Sequence, residues 1–396
     1  MAIEYHGFVG RPLVALFLTI FVSLVGFGII IPLLPFYAET FGASPVGIGL
    51  LFASFSLSQL IASPVLGDLS DRWGRRPVLI GSLLGTVLSF LMLALATNLA
   101  VLFLARVVDG LSGGNITTAR AYIADVTSEE NRAKAYGLIG AAFGLGFIIG
   151  PALGGVFSHV SYTAPIWAAT VLTLIATVLA WAWLPETVHR VEAAGISWWR
   201  FLPDLLRRPG LGRLLGVDFL YWLAFALYQT TFAMFGQGRF GFGVAQIGYM
   251  LSGFGLLGVI VQAAMIAPLV RALGERRVLI LGLMLAAAGI GAASISYSVP
   301  IFVLALVPAA FGIGFCNPSL ASLLSRSADT QEQGRVQGTA GALESLGRTV
   351  GPVWGHGALQ YFGEGSAYGT AAVLLAVTAV LTVPYEVPVT REPVIE

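Results

Sequence analysis

Charge is what this sequence has least of. Asp, Glu, Lys and Arg together make up 10% of its 396 residues, against roughly 25% in a soluble domain, so a water-facing surface of ordinary polarity cannot be assembled from it. Cysteine is nearly missing, and the single Cys316 excludes an intramolecular disulfide and any metal site built on several cysteines. The four histidines are scattered and never spaced His-Glu-x-x-His, which leaves a zinc peptidase without support. No phosphate-binding P-loop occurs, hence no sign of ATP-driven transport. A net charge of +1 gives no general attraction to nucleic acid. Nothing in the chain supplies a catalytic constellation, so it is not read as an enzyme.

What is abundant is apolar length. Hydrophobic residues reach 57% and the mean hydropathy is +0.86, which marks an integral membrane protein. Apolar stretches long enough to cross a bilayer as helices recur near 13–36, 46–66, 77–97, 99–123, 135–157, 164–184, 214–236, 246–269, 278–298, 300–324, 336–359 and 367–385. They are continuously apolar, whereas a membrane barrel would alternate in segments of about ten residues. Arg11 precedes the first run, which continues to Ile31 without a small-residue cleavage site; it reads as a retained helix, not an export signal.

Cytoplasmic loops keep Lys and Arg while translocated loops shed them. With the N-terminus inside, the cytoplasmic side collects Arg11, Arg72, Arg75, Arg76, Arg132, Lys134, Arg190, Arg200, Arg207, Arg208, Arg213, Arg271, Arg276, Arg277, Arg326, Arg335 and Arg391. The outer loops hold only Arg239, and Arg106, Arg120 and Arg348 lie within spans. This asymmetry predicts an even number of spans and two cytoplasmic termini. The one long polar connection, 185–213, follows the sixth span and reads as a linker between two six-helix halves, 1–184 and 214–396. Its Trp198, Trp199 and arginines suit a helix lying at the membrane interface.

The halves repeat. Residues 72–80 align with 272–280, and 134–155 with 335–356, so that Gly150-Pro151 pairs with Gly351-Pro352, Gly137 with Gly338 and Gly154 with Gly355. Parallel duplication of six spans is the plan of one large transporter fold, whose substrate site lies near the midplane.

Four constellations carry chemistry. The segment 67–76 reads as a short turn between spans two and three: Gly67 and Gly74 allow a tight turn or a close approach, and Asp71 can accept from Arg72, Arg75, Arg76 or helix N-termini. Such a cluster can latch one half against the other, with Asp125 at the end of span four joining it, or it can be a topology signal alone. In span five, Gly137, Gly146, Gly150, Pro151, Gly154 and Gly155 are spaced for close helix packing, with Pro151 removing one internal hydrogen bond. Span four carries Arg106 and Asp109 near midplane, either paired with each other at i, i+3 or forming a proton or substrate site. Span eleven carries Glu344 and Arg348, an i, i+4 pair open to the same two readings.

Asp218 is read as an interfacial charge one turn into span seven. On its face of the helix lie Tyr221, Trp222, Phe225, Gln229 and Phe232, which with Ser23, Asn115, Thr118, Gln262 and Asn317 are candidates to line an amphipathic cavity. Such an aromatic face beside a carboxylate suits lipophilic cations, or it packs against lipid.

The order Gly-Asp-Leu-Ser-Asp-Arg-x-Gly-Arg-Arg resembles the loop signature of the major facilitator superfamily. There, the Asp matching Asp71 and the following basic residues stabilise an outward-open state. The span-five spacing resembles the antiporter motif of its proton-coupled drug exporters, and Arg106-x3-Gly110-x3-Gly114 resembles a fourth-span motif whose Arg is implicated in proton coupling. Residues 28–35, 70–79 and 121–125 read like the tetracycline efflux proteins. The resemblance implies an all-α fold of twelve transmembrane helices in two pseudo-symmetric halves. It also implies proton-coupled efflux of amphipathic drug-like molecules by alternating access, with no cofactor and the proton gradient as energy source. The protein is expected to work as a monomer in a bacterial plasma membrane, in contact with lipid, protons and a small amphipathic substrate, and without nucleic acid. A uniporter or symporter of a sugar or organic ion is the alternative within the fold; a non-transporting receptor is a remote one.

Two positions depart from that family. Ser23 and Ser89 stand where those exporters carry a first-span and a third-span Asp on which coupling or drug binding depends. Proton coupling is therefore expected at Asp109 with Arg106, or at Glu344. Arg271 stands near the place of Asp71 in the second half, so that turn is not expected to form the same latch, and Asp71→Asn is expected to impair transport far more than Glu275→Gln.

Overall fold

Several helices of this chain end at a glycine with positive φ: Gly74, Gly241, Gly274 and Gly363. The computed structural model describes residues 11–113, 115–127, 129–187, 198–327 and 332–383. In order, the helices are α1 (Arg11–Glu39), α2 (Pro45–Trp73), α3 (Arg75–Ala94), α4 (Leu99–Ser112), α5 (Asn115–Val126), α6 (Glu129–Ser158), α7 (Ala164–Trp183), α8 (Trp198–Arg207), α9 (Pro209–Phe240), α10 (Val244–Ala264), α11 (Ile266–Leu273), α12 (Glu275–Ser294), α13 (Val299–Arg326), α14 (Gln333–Phe362) and α15 (Glu364–Thr382). No strand occurs among the described residues. Ser44 caps α2 by accepting from Gly47 N at 3.2 Å, with Pro45 at the first helical position. Asn98 caps α4 in the same way through Val101 N at 3.1 Å.

Among the described residues, ten helices are long and apolar enough to cross a bilayer: α1, α2, α3, α6, α7, α9, α10, α12, α13 and α15. The chain is thus a multi-pass membrane protein. Two expected spans fall outside this set. The stretch 99–123 is divided into α4 and α5, of 14 and 12 residues. The stretch 336–359 lies in α14, which has 30 residues but carries Arg335, Gln337, Glu344 and Arg348. Large apolar side chains such as Leu57, Ile61, Val65, Leu84, Leu88 and Val171 are exposed, as a lipid-facing surface requires.

The segment 67–76 is not a ten-residue loop. Residues 67–73 continue α2, supported by the i, i+4 pair Asp68–Arg72 at 3.0 Å, and the turn is Gly74 alone. Within the linker, α8 is helical as expected; the side chains of Trp198 and Trp199, and residues 188–197, lie outside the described residues.

The chain divides into two units, Met1–Gly195 with Gln229–Leu256, and Ile196–Tyr228 with Leu257–Glu396. In the first, α1 packs on α6 and α7, α2 on α4, and α3 on α4 and α7. Its core joins Leu16, Ile20 and Leu24 to Leu79, Leu83, Tyr122, Ile139 and Leu184. In the second, α12 packs on α13 and α15, and α14 on α15 and α8. The pairings α3 with α4 and α7 are echoed by α12 with α13 and α15, a structural counterpart of the sequence repeat. Since lipid is as apolar as leucine, such helices associate through close packing of small residues: a Cβ on Gly282 would lie 2.8 Å from Gly312 O.

Candidate functional site

The first unit buries an ion pair. Arg106 Nη1 donates to Asp109 Oδ2 at 2.6 Å, and the two residues are 1% and 7% exposed. The guanidinium carbon lies 4.3 Å from the centroid of the Phe55 ring on α2, a cation–π arrangement. Gly110 makes this approach possible, because a Cβ there would fall 2.7 Å from Ser58 Cβ. Arg106 Nε and Nη2 are buried without a hydrogen-bond partner. The two residues therefore do pair, and the guanidinium keeps two donor nitrogens in reserve.

The glycines of the fifth expected span form a seam. A Cβ on Gly146 would lie 2.6 Å from Leu24 Cβ, on Gly150 2.6 Å from Val25 O and 2.8 Å from Gly28 Cα, and on Gly154 3.2 Å from Ile29 O. These positions let α6 lie backbone to backbone on α1. Gly155, across the helix, meets Ala245 of α10. Gly137 meets nothing within 4 Å and is not part of the seam. The repeat obeys the same rule: a Cβ on Gly351 would lie 2.6 Å from Leu223 O of α9.

Around Gly74 the expected cluster assembles on Arg75. Its side chain pairs with Asp71, reaches Asp125 Oδ2 at 3.1 Å and donates to Ser70 Oγ at 2.7 Å, while its backbone N donates to Glu186 Oε1 at 2.9 Å. Arg76 donates to Trp181 O at 2.6 Å. These contacts tie α2, α3, α5 and the end of α7 together within one unit. Arg72 instead pairs with Asp68, and Gly67 has open space around it, so neither belongs to the centre. Ser70, Glu186 and Thr187, which donates to Asp125 Oδ2 at 3.2 Å, were not legible as members because their partners lie far along the chain or on hidden helix faces.

Gly74 has φ +108° and ψ 155°, and Gly274 φ +80° and ψ 155°, a region essentially restricted to glycine. Gly274→Ala should cost about 1–3 kcal/mol from backbone strain. Gly74→Ala should cost more, because its Cβ would also displace the Glu186 carboxylate; thermal unfolding of the two purified variants reads the difference.

The second turn does not repeat the contacts made around Asp71, but it has an ion pair of its own. Glu275, which opens α12, accepts from Arg326 at 3.1 Å and from Ser322 Oγ. Arg75 opens α3 and pairs with Asp125 at the end of α5; Glu275 and Arg326 hold the equivalent places with the charges exchanged. The helix-opening side chains are equally sheltered, 13% and 14% exposed. The order expected from the sequence, Asp71→Asn impairing transport far more than Glu275→Gln, is checked by comparing transport by the two variants. Glu275→Arg and Arg326→Glu should each lower the unfolding temperature, and the double exchange should recover it; failure to recover would show that the pair contributes nothing. Farther along, Arg208 donates to Glu332 at 2.7 Å, and this hydrogen bond holds the Glu332 carboxyl below the usual carboxylate range.

Asp218 is not the interfacial charge expected. Because α9 begins at Pro209, Asp218 lies nine residues, roughly 13 Å, into the helix, and it is 1% exposed. Glu344 and Arg348 of α14 act on it electrostatically. Tyr221, Trp222 and Phe225 do form a contiguous aromatic group: Tyr221 stacks on Phe225 with centroids 6.1 Å apart, and Trp222 meets Phe225 edge-on at 5.6 Å. The Arg348 guanidinium carbon lies 5.3 Å from the Trp222 ring. Tyr221 and Phe232 are buried and Asn317 is half-buried, whereas Gln262 is exposed. In the first unit Thr118 is buried, Gln229 is half-buried, and Ser23 donates to Thr19 O at 2.9 Å; the side chain of Asn115 lies outside the described residues.

Ionisable side chains placed inside membrane-crossing helices, as Arg106, Asp109 and Asp218 are, mark a functional site by default. A family model described as Major Facilitator Superfamily matches residues 16–352 and 214–395. The class G tetracycline resistance protein of Vibrio anguillarum is 36% identical over 371 residues, covering 91% of this chain and 93% of the relative. Multidrug resistance protein 2 of Bacillus subtilis (strain 168) is 33% identical over 345 residues, 85% of this chain and 86% of the relative. Among solved structures, the human organic anion transporter MFSD10 (TETRAN) matches with a TM-score of 0.74 at 25% identity, over 94% of this chain and 99% of that one. The chain belongs to the Major Facilitator Superfamily.

Proposed function

We propose that the protein is a secondary transporter that exports amphipathic, drug-like molecules in exchange for protons by alternating access. One observation carries this reading: relatives named for tetracycline resistance and for multidrug resistance both match it over more than four-fifths of its length. The ionisable residues inside its helices, the buried Arg106 and Asp109 and the half-buried Glu344 and Arg348, support proton exchange, since such groups are costly in a bilayer unless they serve a pathway. The half-buried Trp222 and Phe225, backed by the buried Tyr221, supply an aromatic surface for an amphipathic substrate. The cluster of Asp71, Arg75 and Asp125 acts as a latch that steadies one state, and the glycine seam of α6 keeps its helices in rigid contact.

In this reading twelve spans form two six-helix halves, 1–184 and 214–396, joined by 185–213, with α4 and α5 together making the fourth span and α14 the eleventh. The Lys and Arg distribution supports two cytoplasmic termini, and the bacterial relatives support a bacterial plasma membrane. The protein works as a monomer, with no cofactor and no nucleic acid; the proton gradient is its energy source.

Expression in an efflux-deficient bacterial host tests the substrate class. Protection against tetracycline or lipophilic cationic dyes that disappears with a proton uncoupler supports the reading. No protection across a broad panel would oppose it, and equilibration in both directions without a gradient would select a uniporter.

A further inference from the structure

The Arg106–Asp109 pair is balanced, one carboxylate against one guanidinium at 2.6 Å. Asp218 has no such arrangement. It is 1% exposed, and its Oδ2 is buried without a hydrogen-bond partner. A carboxylate held in a membrane-crossing bundle without hydrogen bonds is costly when ionised and far less so when protonated.

Gly347 fixes what stands beside it. A Cβ there would lie 2.9 Å from Leu223 N and 3.1 Å from Phe219 O, so α14 runs backbone to backbone along this part of α9. Gly351 then meets Leu223 and Leu227, so the two helices advance in the same direction. Glu344, one turn before Gly347, and Arg348, directly after it, are thereby brought alongside Asp218. Both are charges that act on Asp218. Arg348 is held loosely: its Nη2 reaches Ser345 Oγ at 3.4 Å, a long bond, and its Nε has no partner. Among the described residues, the other titratable groups acting here are Tyr221 on α9 and Cys316 on α13, both fully buried and both neutral in their ordinary form. Arg348 thus stands among Asp218, Glu344 and the Trp222 ring with one long hydrogen bond to fix it.

We infer that Asp218 is the carboxyl that takes up and releases the proton driving transport, with Glu344 and Arg348 of α14 as the charges that respond to it. This rests on the proton-exchange reading above and moves the coupling site away from Arg106 and Asp109. The chemistry is a simple protonation: the carboxylate oxygen accepts a proton from one side of the membrane and gives it up to the other. In the ionised form Arg348 turns toward Asp218; in the protonated form it is released to Glu344 and Trp222. A group titrating beside two others shares its proton-binding behaviour with them, so Glu344→Gln should alter the titration of Asp218 without removing it.

Infrared titration of the purified full-length protein in detergent, read on the carboxylic-acid C=O stretch, needs no substrate. Wild type is expected to show a protonated carboxyl whose signal is lost in Asp218→Asn, retained in Asp109→Asn and shifted in Glu344→Gln. Asparagine copies the shape of the protonated acid, so Asp218→Asn should fold; in proteoliposomes it should lose pH-driven tetracycline accumulation yet keep downhill tetracycline exchange. Asp218→Glu should restore accumulation with a displaced pH profile. A carboxyl signal unchanged in Asp218→Asn, or pH-driven accumulation that survives this substitution, overturns the inference. A wild type that shows the Asp218-dependent signal but moves neither tetracycline nor ethidium with the gradient supports the proton site and opposes the efflux reading.

Discussion

Arg106→Ala is expected to destabilise the protein by about 3–5 kcal/mol, the cost of leaving a buried carboxylate without its cation. Asp109 is 7% exposed, and the 2.6 Å bond from Arg106 is its described ion pair, so nothing nearby replaces the lost charge. The Phe55 ring, which now faces the guanidinium, would be left against a cavity and add to the loss. Unfolding temperature in detergent and transport in proteoliposomes should both fall. Arg106→Lys should keep the charge but not the planar fork, and give an intermediate result. The double variant Arg106→Met with Asp109→Leu separates structure from function, because replacing a whole buried pair by apolar side chains is often neutral or stabilising. Recovered stability without transport is the expected outcome; recovery of both would make the pair purely structural.

The second large effect lies in the glycine seam. Gly150→Ala places a methyl group against Val25 O and Gly28 Cα, at 2.6 and 2.8 Å, where both obstacles are backbone and cannot rotate away. Overpacking of this kind costs about 1–3 kcal/mol, and Gly351→Ala should behave alike, because Leu223 O stands 2.6 Å away. Gly137 belongs to the same sequence pattern but has open space around it. Gly137→Ala should therefore stabilise, by up to about 1 kcal/mol from helix propensity. Opposite signs at two glycines of one motif are the signature of a seam. Thermal unfolding of the two variants measures it, and equal effects would mean that glycine serves here only as a generic membrane-helix residue.

Much of this was legible from local pattern. Apolar length located nearly every helix, the repeat of Gly-Pro at 150 and 351 pointed to equivalent helices, and i, i+3 spacing anticipated the Arg106–Asp109 pair. What was hidden depended on contacts across the chain. Asp218 looked interfacial because hydropathy begins its span at 214, whereas the helix starts at Pro209 and α14 covers the face that carries the acid. The segment 67–76 looked like a loop because its charges end the apolar run, yet those charges pair along the helix and extend it to Trp73. Glu275 and Arg326 are 51 residues apart and exchange the charges of their first-half counterparts, so alignment by residue type conceals a contact that alignment by position reveals. The aromatic group at 221–225 was visible as a helical face. Which of the polar candidates around it point inward was not, as the exposed Gln262 illustrates.

Flux into proteoliposomes of purified protein under an imposed pH gradient tests the central claim most directly. Proton-coupled export predicts that tetracycline or ethidium accumulates against its own gradient only while the pH difference persists, with measurable counterflow of protons. Substrate movement that merely equilibrates and ignores the pH difference would contradict it.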